Sequence, residues 1–211
     1  MQKKEKITST ATRKNMRGED RRQLILEEAA RFFAEIGFEG KTRELAKRMG
    51  ITHAALYRHF ESKDALIEAV YQRIYVNRWD VSWEELILDD TRPLRERLQQ
   101  FYQEYIDRVF EYEWVRIFVY SGLTSYGMNE RYLSLLRSKF IRPCAERLEI
   151  AEMTIEEKED LVWGLHGSIF YIAIRKYVYE VEVNNSISTS VRNSVDLFFD
   201  GLSGKSKVSE S

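Results

Sequence analysis

The chain has 211 residues, of which 44% are hydrophobic and 32% charged, a composition typical of a folded protein and not of a disordered one. Its longest uncharged stretch in the second half, residues 161–174, is too short to cross a bilayer, so we expect no membrane span. The N-terminus is basic and polar and lacks the apolar run of a secretory signal, so we expect a cytoplasmic protein.

Charge is distributed unevenly along the chain. The formal net charge is −1, but residues 1–78 contain 17 Lys+Arg and 11 Asp+Glu. The first part therefore carries an excess of six positive charges and the remainder an excess of seven negative ones. A local basic excess favours a polyanionic partner, and the first third of the chain is the candidate region for it.

The pattern of breakers and apolar residues predicts an all-α protein. Only two prolines and ten glycines interrupt long amphipathic stretches. We predict a flexible basic arm over residues 1–18, a small helical domain over 19–66, a larger helical domain over 67–203 and a disordered tail over 204–211.

The first predicted helices have recognisable start and stop residues. We predict helices over residues 20–36, 42–49, 52–60 and 63–79. Gly37 ends the first, and Thr52 and Ser62 cap the third and fourth. Two short helices joined by a glycine, here Gly50, are typical of a helix-turn-helix unit. Further helices are predicted near residues 93–112, 114–126, 129–149, 155–181 and 187–201.

The third predicted helix contains the residues expected at a nucleic acid. Recognition helices lie in the DNA major groove with their first residues toward the base edges, which places His53, Ala54 and Ala55 at the bases. Leu56 and Phe60 would face inward. Hydrogen-bond donors and cations suited to the phosphates follow at Tyr57, Arg58, His59 and Lys63.

Other kinds of site fit this segment less well. On a helix, His53 and His59 are about 240° apart at 100° per residue, which disfavours a metal site. The only serine and carboxylate nearby, Ser62 and Glu61, suit capping better than catalysis. A surface helix with incidental charges remains an alternative. Cys144 has no partner motif and is interpreted as a small buried apolar residue. We expect no enzymatic activity, no cofactor and no metal.

Three runs of residues together resemble a known family. They are Arg22-x-x-Ile25-Leu26-x-x-Ala29-x-x-x-Phe33-Ala34-x-x-Gly37-Phe38, then Thr42-Arg43-Glu44-Leu45-Ala46-x-x-Met49-Gly50-Ile51, then Ala55-Leu56-Tyr57-Arg58-His59-Phe60-x-Ser62-Lys63-x-Ala65-Leu66. This pattern, over about residues 19–70, closely resembles the DNA-binding domain of TetR/AcrR-family transcriptional regulators.

The resemblance implies a homodimeric, ligand-responsive regulator, in most cases a repressor, that binds a palindromic double-stranded DNA operator. A small apolar or aromatic effector in the C-terminal domain would release it. An alternative is a helix-turn-helix adaptor that is controlled by a protein partner and has no small-molecule effector. One departure from the family is a loop, residues 38–41, that is one residue shorter than usual. The residues predicted at the DNA are Lys41, Thr42, Arg43, Thr52, His53, Ala54, Ala55, Tyr57, Arg58, His59 and Lys63.

The second half is rich in aromatic residues, which could line an apolar cavity with a few orienting donors. The alternative is an ordinary helical core, and the cavity is preferred only because the family usually has one. His166 could donate to a ligand, although a hydrogen-bonded core histidine is the favoured interpretation. The candidate effector residues are Tyr102, Tyr105, Trp114, Phe118, Tyr120, Trp163, His166 and Phe170.

The last two predicted helices, near 155–181 and 187–201, are candidates for a four-helix homodimer interface. Small residues on the first would allow close packing, and apolar residues form a stripe on the second. Packing within one chain is the alternative. The residues concerned are Gly164, Gly167, Ser168 and Ala173, then Val191, Val195, Leu197 and Phe198.

Overall fold

The protein is helical in a computed structural model that describes residues 18–124, 126–183 and 185–208, the last five by their backbone alone. The secondary-structure elements in these ranges are all helices, with no strand, as the sequence predicted. The α-helices are α1 Gly18–Ile36, α2 Thr42–Met49, α3 His53–Tyr57, α4 Lys63–Ile74, α5 Ser82–Leu88, α6 Leu94–Val109, α7 Tyr112–Gly122, α8 Met128–Leu136, α9 Arg142–Glu146, α10 Ile155–Tyr177 and α11 Ile187–Val208.

The chain divides into two compact units, and the boundary lies within α4, between Gln72 and Arg73. The sequence predicts this boundary earlier, after residue 66. The predicted basic arm lies outside the described residues except for Gly18, which begins α1. Within the described ranges, no helix is both long enough and apolar enough to span a membrane.

The first unit is built on the apolar face of α1. Ile25, Ala29 and Phe33 are fully buried, and α2 packs against α1 and α3 against α2. The buried stripe is narrower than the apolar positions of the sequence indicate, because Leu24 and Ile36 at its edges are 36% and 49% exposed.

The second unit is a bundle in which α6 packs against α5 and α11, and α10 packs against α7, α9 and α11. Its longest helix, α10, begins with the predicted capping box. The Thr154 hydroxyl accepts a hydrogen bond from the Glu157 amide, and the Glu157 carboxylate accepts one from the Thr154 amide. Both helix-start signals are local, which is why the sequence predicted this start correctly.

Several predicted elements differ from the observed ones. The helix predicted over 63–79 ends at Ile74 and is followed by a 3-10 turn, Val76–Arg78. A π-helical segment, Arg137–Ile141, interrupts the one predicted over 129–149. The helix predicted to reach residue 181 ends at Tyr177. The predicted disordered tail is corrected for residues 204–208, because the backbone of α11 stays helical to Val208.

Helix α5 was not predicted. It is short, and it begins where the Asp80 carboxylate accepts hydrogen bonds from the Ser82 amide and hydroxyl at 3.0 and 2.7 Å. Trp83 and Ile87 bury its inner face. Seven residues are too few for a helical period to stand out in the sequence.

Candidate nucleic-acid interface

The turn between α2 and α3 has the geometry that its glycine predicts. Gly50 has φ 65° and ψ 32°, the left-handed region in which a side chain is disfavoured. The next amide, of Ile51, donates back to the Ala46 carbonyl at 3.0 Å. The Thr52 hydroxyl then accepts from the Ala55 amide at 3.1 Å, so α3 begins at His53 as the predicted cap requires.

Helix α3 is shorter than predicted. It ends at Tyr57, with Arg58 as its C-cap residue, and not near residue 60. Leu56 and Phe60 are buried, with 0% and 4% of their surface exposed, and the Phe60 ring lies under the Arg22 guanidinium at 4.9 Å. The helix therefore ends between two buried side chains, Leu56 and Phe60, which both pack into the first unit.

The early end of α3 changes the argument about the two histidines. His59 lies beyond the helix, so the angle of about 240° that assumed a continuous helix is wrong as a geometric statement. His53 instead contacts a threonine on α2. In the described part of the chain, no group of three His, Cys, Asp or Glu side chains is arranged to hold a metal ion.

The Thr42 side chain joins α2 to α3. Its hydroxyl lies 3.0 Å from Nε2 of His53 and 3.0 Å from the hydroxyl of Tyr57. The His53 and Tyr57 rings meet edge to face, with their centroids 4.8 Å apart. We call these three residues the Thr42 cluster. Thr42 itself is only 8% exposed, so its role is to hold two side chains of α3 in place.

The short loop before α2 places Lys41, and not Thr42, at the N-cap. Lys41 has extended backbone angles and no side-chain capping bond. The loop packs closely against the first unit, since a Cβ added at Gly40 would lie only 2.5 Å from the ring of the buried Phe32. Lys41 is exposed at the start of α2.

Basic side chains of the first unit fall into two groups. Arg48 is held by two carboxylates, with Nη1 and Nη2 at 2.5 and 2.8 Å from Glu35 and Nε against Glu28. The hydrogen bonds that Arg48 donates to Glu35, together with the negative charge of Glu28, raise the pKa of Arg48 above its ordinary value. By contrast, among the described residues, none forms an ion pair or hydrogen bond with the side chains of Lys41, Arg43, Arg58 and Lys63.

The predicted interface residues lie on neighbouring elements, but they are not equally accessible. Ala54 and Arg58 are exposed, and Ala55 and His59 are half-buried. His53 and Tyr57 are half-buried within the Thr42 cluster. Sequence reasoning missed this cluster, because a contact between residues 11 and 15 positions apart leaves no local periodic signal.

The predicted effector residues form part of a packed aromatic cluster in the second unit. Tyr102, Tyr105 and Trp114 are buried and His166 is 7% exposed, while the remaining four are half-buried. Several of these rings contact one another directly, including Trp114 stacked on Phe118 with centroids 5.4 Å apart. The half-buried ones are Phe118, Tyr120, Trp163 and Phe170.

Two members of the cluster that the sequence did not single out are Tyr132 and Phe140. The Tyr132 and Tyr105 hydroxyls are 2.6 Å apart. The Phe140 ring stacks on the Phe101 ring with their centroids 3.9 Å apart. His166 Nδ1 lies 3.5 Å from the Tyr102 hydroxyl, and burial lowers the pKa of His166 to about 4. The His166 ring is therefore neutral at pH 7.

Polar atoms without partners also occur near this cluster. Among the described residues, the Trp114 Nε1 and the Ser121 hydroxyl are buried and have no hydrogen-bond partner. Both lie on α7, two turns apart. Buried polar groups are normally satisfied, so these two atoms are exceptions among the described residues.

Known proteins similar to this chain share its first unit most clearly. A family model of bacterial regulatory proteins, tetR family, matches residues 25–70. The tetracycline repressor protein class A from transposon 1721 of Escherichia coli is 32% identical over 82 residues, 35% of this chain and 38% of that protein. The nucleoid occlusion factor SlmA of Marinobacter nauticus is 37% identical over 81 residues, 38% of this chain and 40% of that protein. The chain thus spans less than half the length of these curated relatives.

Solved structures extend the likeness of fold to most of the chain. A TetR-like transcriptional regulator from Rhodococcus sp. RHA1 superposes with a TM-score of 0.68, covering 90% of this chain and 100% of that one at 22% identity. The residues of the family model run from α1 to α4. They contain the turn, the Thr42 cluster and the cations that have no partner among the described residues. At residues 25–70 the chain therefore contains a domain that matches the tetR family of bacterial regulatory proteins.

Proposed function

We propose that the protein is a ligand-responsive transcriptional repressor that binds a palindromic DNA operator as a homodimer and is released by a small apolar or aromatic effector. The observation that carries the DNA part is the contrast among its cations. Arg48 is neutralised by Glu28 and Glu35, whereas the cations next to α3 have no carboxylate partner in the described part of the chain.

Unpaired cations next to a recognition helix suit a phosphate backbone. Each phosphate contact releases counterions and makes binding depend on salt. Arg43, which precedes α3 in the sequence, and Arg58, which follows it, are both exposed. The sequence contains no carboxylate between Ile51 and Phe60. The small side chains of Ala54 and Ala55 would let the helix approach the base edges closely.

A homodimer is supported by the outward face of α10. Gly164 and Gly167 are exposed, and among the described residues no atom outside the adjacent backbone of α10 lies within 4 Å of where their Cβ atoms would be. Tyr171 on the same helix is 51% exposed, and Leu197 on α11 is 72% exposed. Of the predicted stripe on α11, Val191 and Val195 are buried within the protomer, so a partner helix would contact Leu197 instead.

An apolar or aromatic effector is supported by the aromatic cluster and its two unpartnered atoms. The Trp114 Nε1 can donate to a ligand oxygen, and the Ser121 hydroxyl can donate or accept. A polar effector has less to bind in the open cleft of about 590 Å³ next to Trp83. Arg78 and Arg108, which line that cleft, already pair with Glu111 and Asp80.

The DNA-binding proposal is tested by selection from random-sequence duplexes, followed by salt titration. We expect an inverted repeat with half-sites about one helical turn apart, ~34–36 Å. Arg58→Ala and Lys63→Ala should each weaken binding to every sequence and lower the salt slope by about one. Arg31→Ala is the matched control, because Arg31 is exposed and pairs with Glu28 on α1. Unchanged affinity and slope in both variants would refute the assigned phosphate contacts.

The effector proposal is tested by thermal unfolding in a screen of small apolar and aromatic compounds. A compound that binds the folded state raises the melting temperature by mass action. Ser121→Ala should reduce the shift produced by a polar-substituted hit without lowering the melting temperature of the free protein greatly. A screen in which no compound shifts the transition would favour the adaptor controlled by a protein partner.

A further inference from the structure

The Thr42 hydroxyl has two hydrogen-bond contacts in the Thr42 cluster, but it can donate only one hydrogen bond. A threonine hydroxyl has one proton and two lone pairs, and here it faces both the His53 Nε2 and the Tyr57 hydroxyl at 3.0 Å. It can donate to only one of them. The tautomer of the neutral His53 ring and the direction of the Tyr57 hydroxyl are therefore linked.

The two hydrogen bonds that join His53 to Thr42 and Thr42 to Tyr57 can be arranged in three ways, which differ in which atom donates. In one, Nε2–H of His53 donates to Thr42, Thr42 donates to Tyr57, and the Tyr57 proton is free to point outward. In the second, Tyr57 donates to Thr42 and Thr42 donates to Nε2, so the Tyr57 proton is used inside the cluster. A third arrangement, in which both neighbours donate to Thr42, also uses the Tyr57 proton internally.

Contact with a DNA phosphate discriminates among these arrangements. A phosphate oxygen only accepts hydrogen bonds at neutral pH, so Tyr57 can bind one only by donating its proton. That leaves the first arrangement as the only one that keeps both bonds to Thr42. We propose that DNA binding fixes His53 as the Nε2–H tautomer, with Nδ1 as a bare acceptor; this inference rests on the proposed DNA-binding function.

The bare acceptor gives His53 a defined preference for bases. In the described part of the chain, no group forms a hydrogen bond with Nδ1 of His53, and His53 is the first residue of α3. In the major groove, the hydrogen-bond donors of the bases are the exocyclic amines, N6 of adenine and N4 of cytosine. His53 should therefore favour adenine or cytosine at one position of each half-site and disfavour guanine N7 and thymine O4.

The tautomer can be observed directly by ¹⁵N NMR of histidine rings in the protein–DNA complex, at mildly alkaline pH where imidazole is neutral. The chain has three histidines, and the His53 signal is assigned by its loss in His53→Gln. We expect a proton on Nε2 and none on Nδ1. A proton on Nδ1, in either a neutral or a cationic ring, would overturn the inference.

The base preference is tested with variants of the shared hydroxyl. Thr42→Val keeps the shape but removes both hydrogen bonds, and we expect the adenine or cytosine preference at that position to fall by about fivefold or more. Thr42→Ser, which keeps the hydroxyl, should retain the preference. Helix content and melting temperature of both variants show whether they fold.

The outcomes separate this inference from the proposed function. If the wild-type protein selects no DNA sequence, the proposed function fails and the inference fails with it. If the wild-type protein selects an operator and Thr42→Val selects the same bases equally strongly, the function stands and the role of the Thr42 cluster is refuted.

Discussion

His166 should make the stability of the second unit depend on pH in a way that can be measured. Burial lowers the pKa of this ring from 6.5 to about 4, and the Tyr102 hydroxyl lies 3.5 Å from its Nδ1. The perturbation is the replacement His166→Gln, which removes the titrating ring. We expect the free energy of unfolding to fall more on acidification in the wild type than in His166→Gln.

The sign and size follow from proton linkage. Between about pH 6.5 and 4, the unfolded chain binds a proton at this position and the folded protein does not, so acid favours unfolding. The contribution of the neutral ring is fully present above about pH 6.5 and is lost as the pH falls toward 4. With these two pKa values, the loss at pH 5 is about 2 kcal/mol.

The assay is urea unfolding at one protein concentration, at pH 7.5 and at pH 5, for wild type and His166→Gln. Carboxylates elsewhere titrate equally in both proteins, and the altered packing around residue 166 in the variant changes its stability by the same amount at either pH. The wild type should lose about 2 kcal/mol more than the variant on acidification. Equal losses in the two proteins would show that the folded-state ring takes up its proton as readily as the unfolded one.

Three further outcomes are expected. Gly40→Ala should destabilise the first unit by about 1–3 kcal/mol in thermal unfolding, because the new Cβ would lie 2.5 Å from the Phe32 ring; wild-type stability would refute the tight loop. Thr154→Ala should cost about 1 kcal/mol through loss of the α10 cap, and an unchanged urea midpoint would contradict the capping box. Burial raises the pKa of the Cys144 thiol, so iodoacetamide should modify Cys144 only in denaturant; modification of the folded protein at the denatured rate would show that the thiol is accessible.

Local signals in the first unit predicted its turn and its caps correctly. The glycine turn at Gly50, the cap at Thr52 and the cap at Ser62 each have the expected geometry. These features depend on residues within three or four positions of one another. Short-range backbone chemistry is enough to specify them.

Helix ends were predicted less well where packing decides them. The third predicted helix extends to about residue 60 because Phe60 continues the apolar spacing, yet the chain leaves the helix after Tyr57. Phe60 is buried all the same. An apolar residue just beyond a helix can fill the same core position as one inside it, so spacing alone does not mark the end.

Residue chemistry and local order by themselves predicted a helix-turn-helix domain with a basic excess in the first third of this chain. Long-range contacts decided the rest. They turned Thr42 inward to share its hydroxyl between His53 and Tyr57, paired Arg48 with Glu28 and Glu35, and left Arg58 without a partner among the described residues. Which cation is neutralised, and which nitrogen of a histidine is occupied, depends on side chains that meet only when the helices pack. A pattern of near neighbours along the chain cannot carry that information.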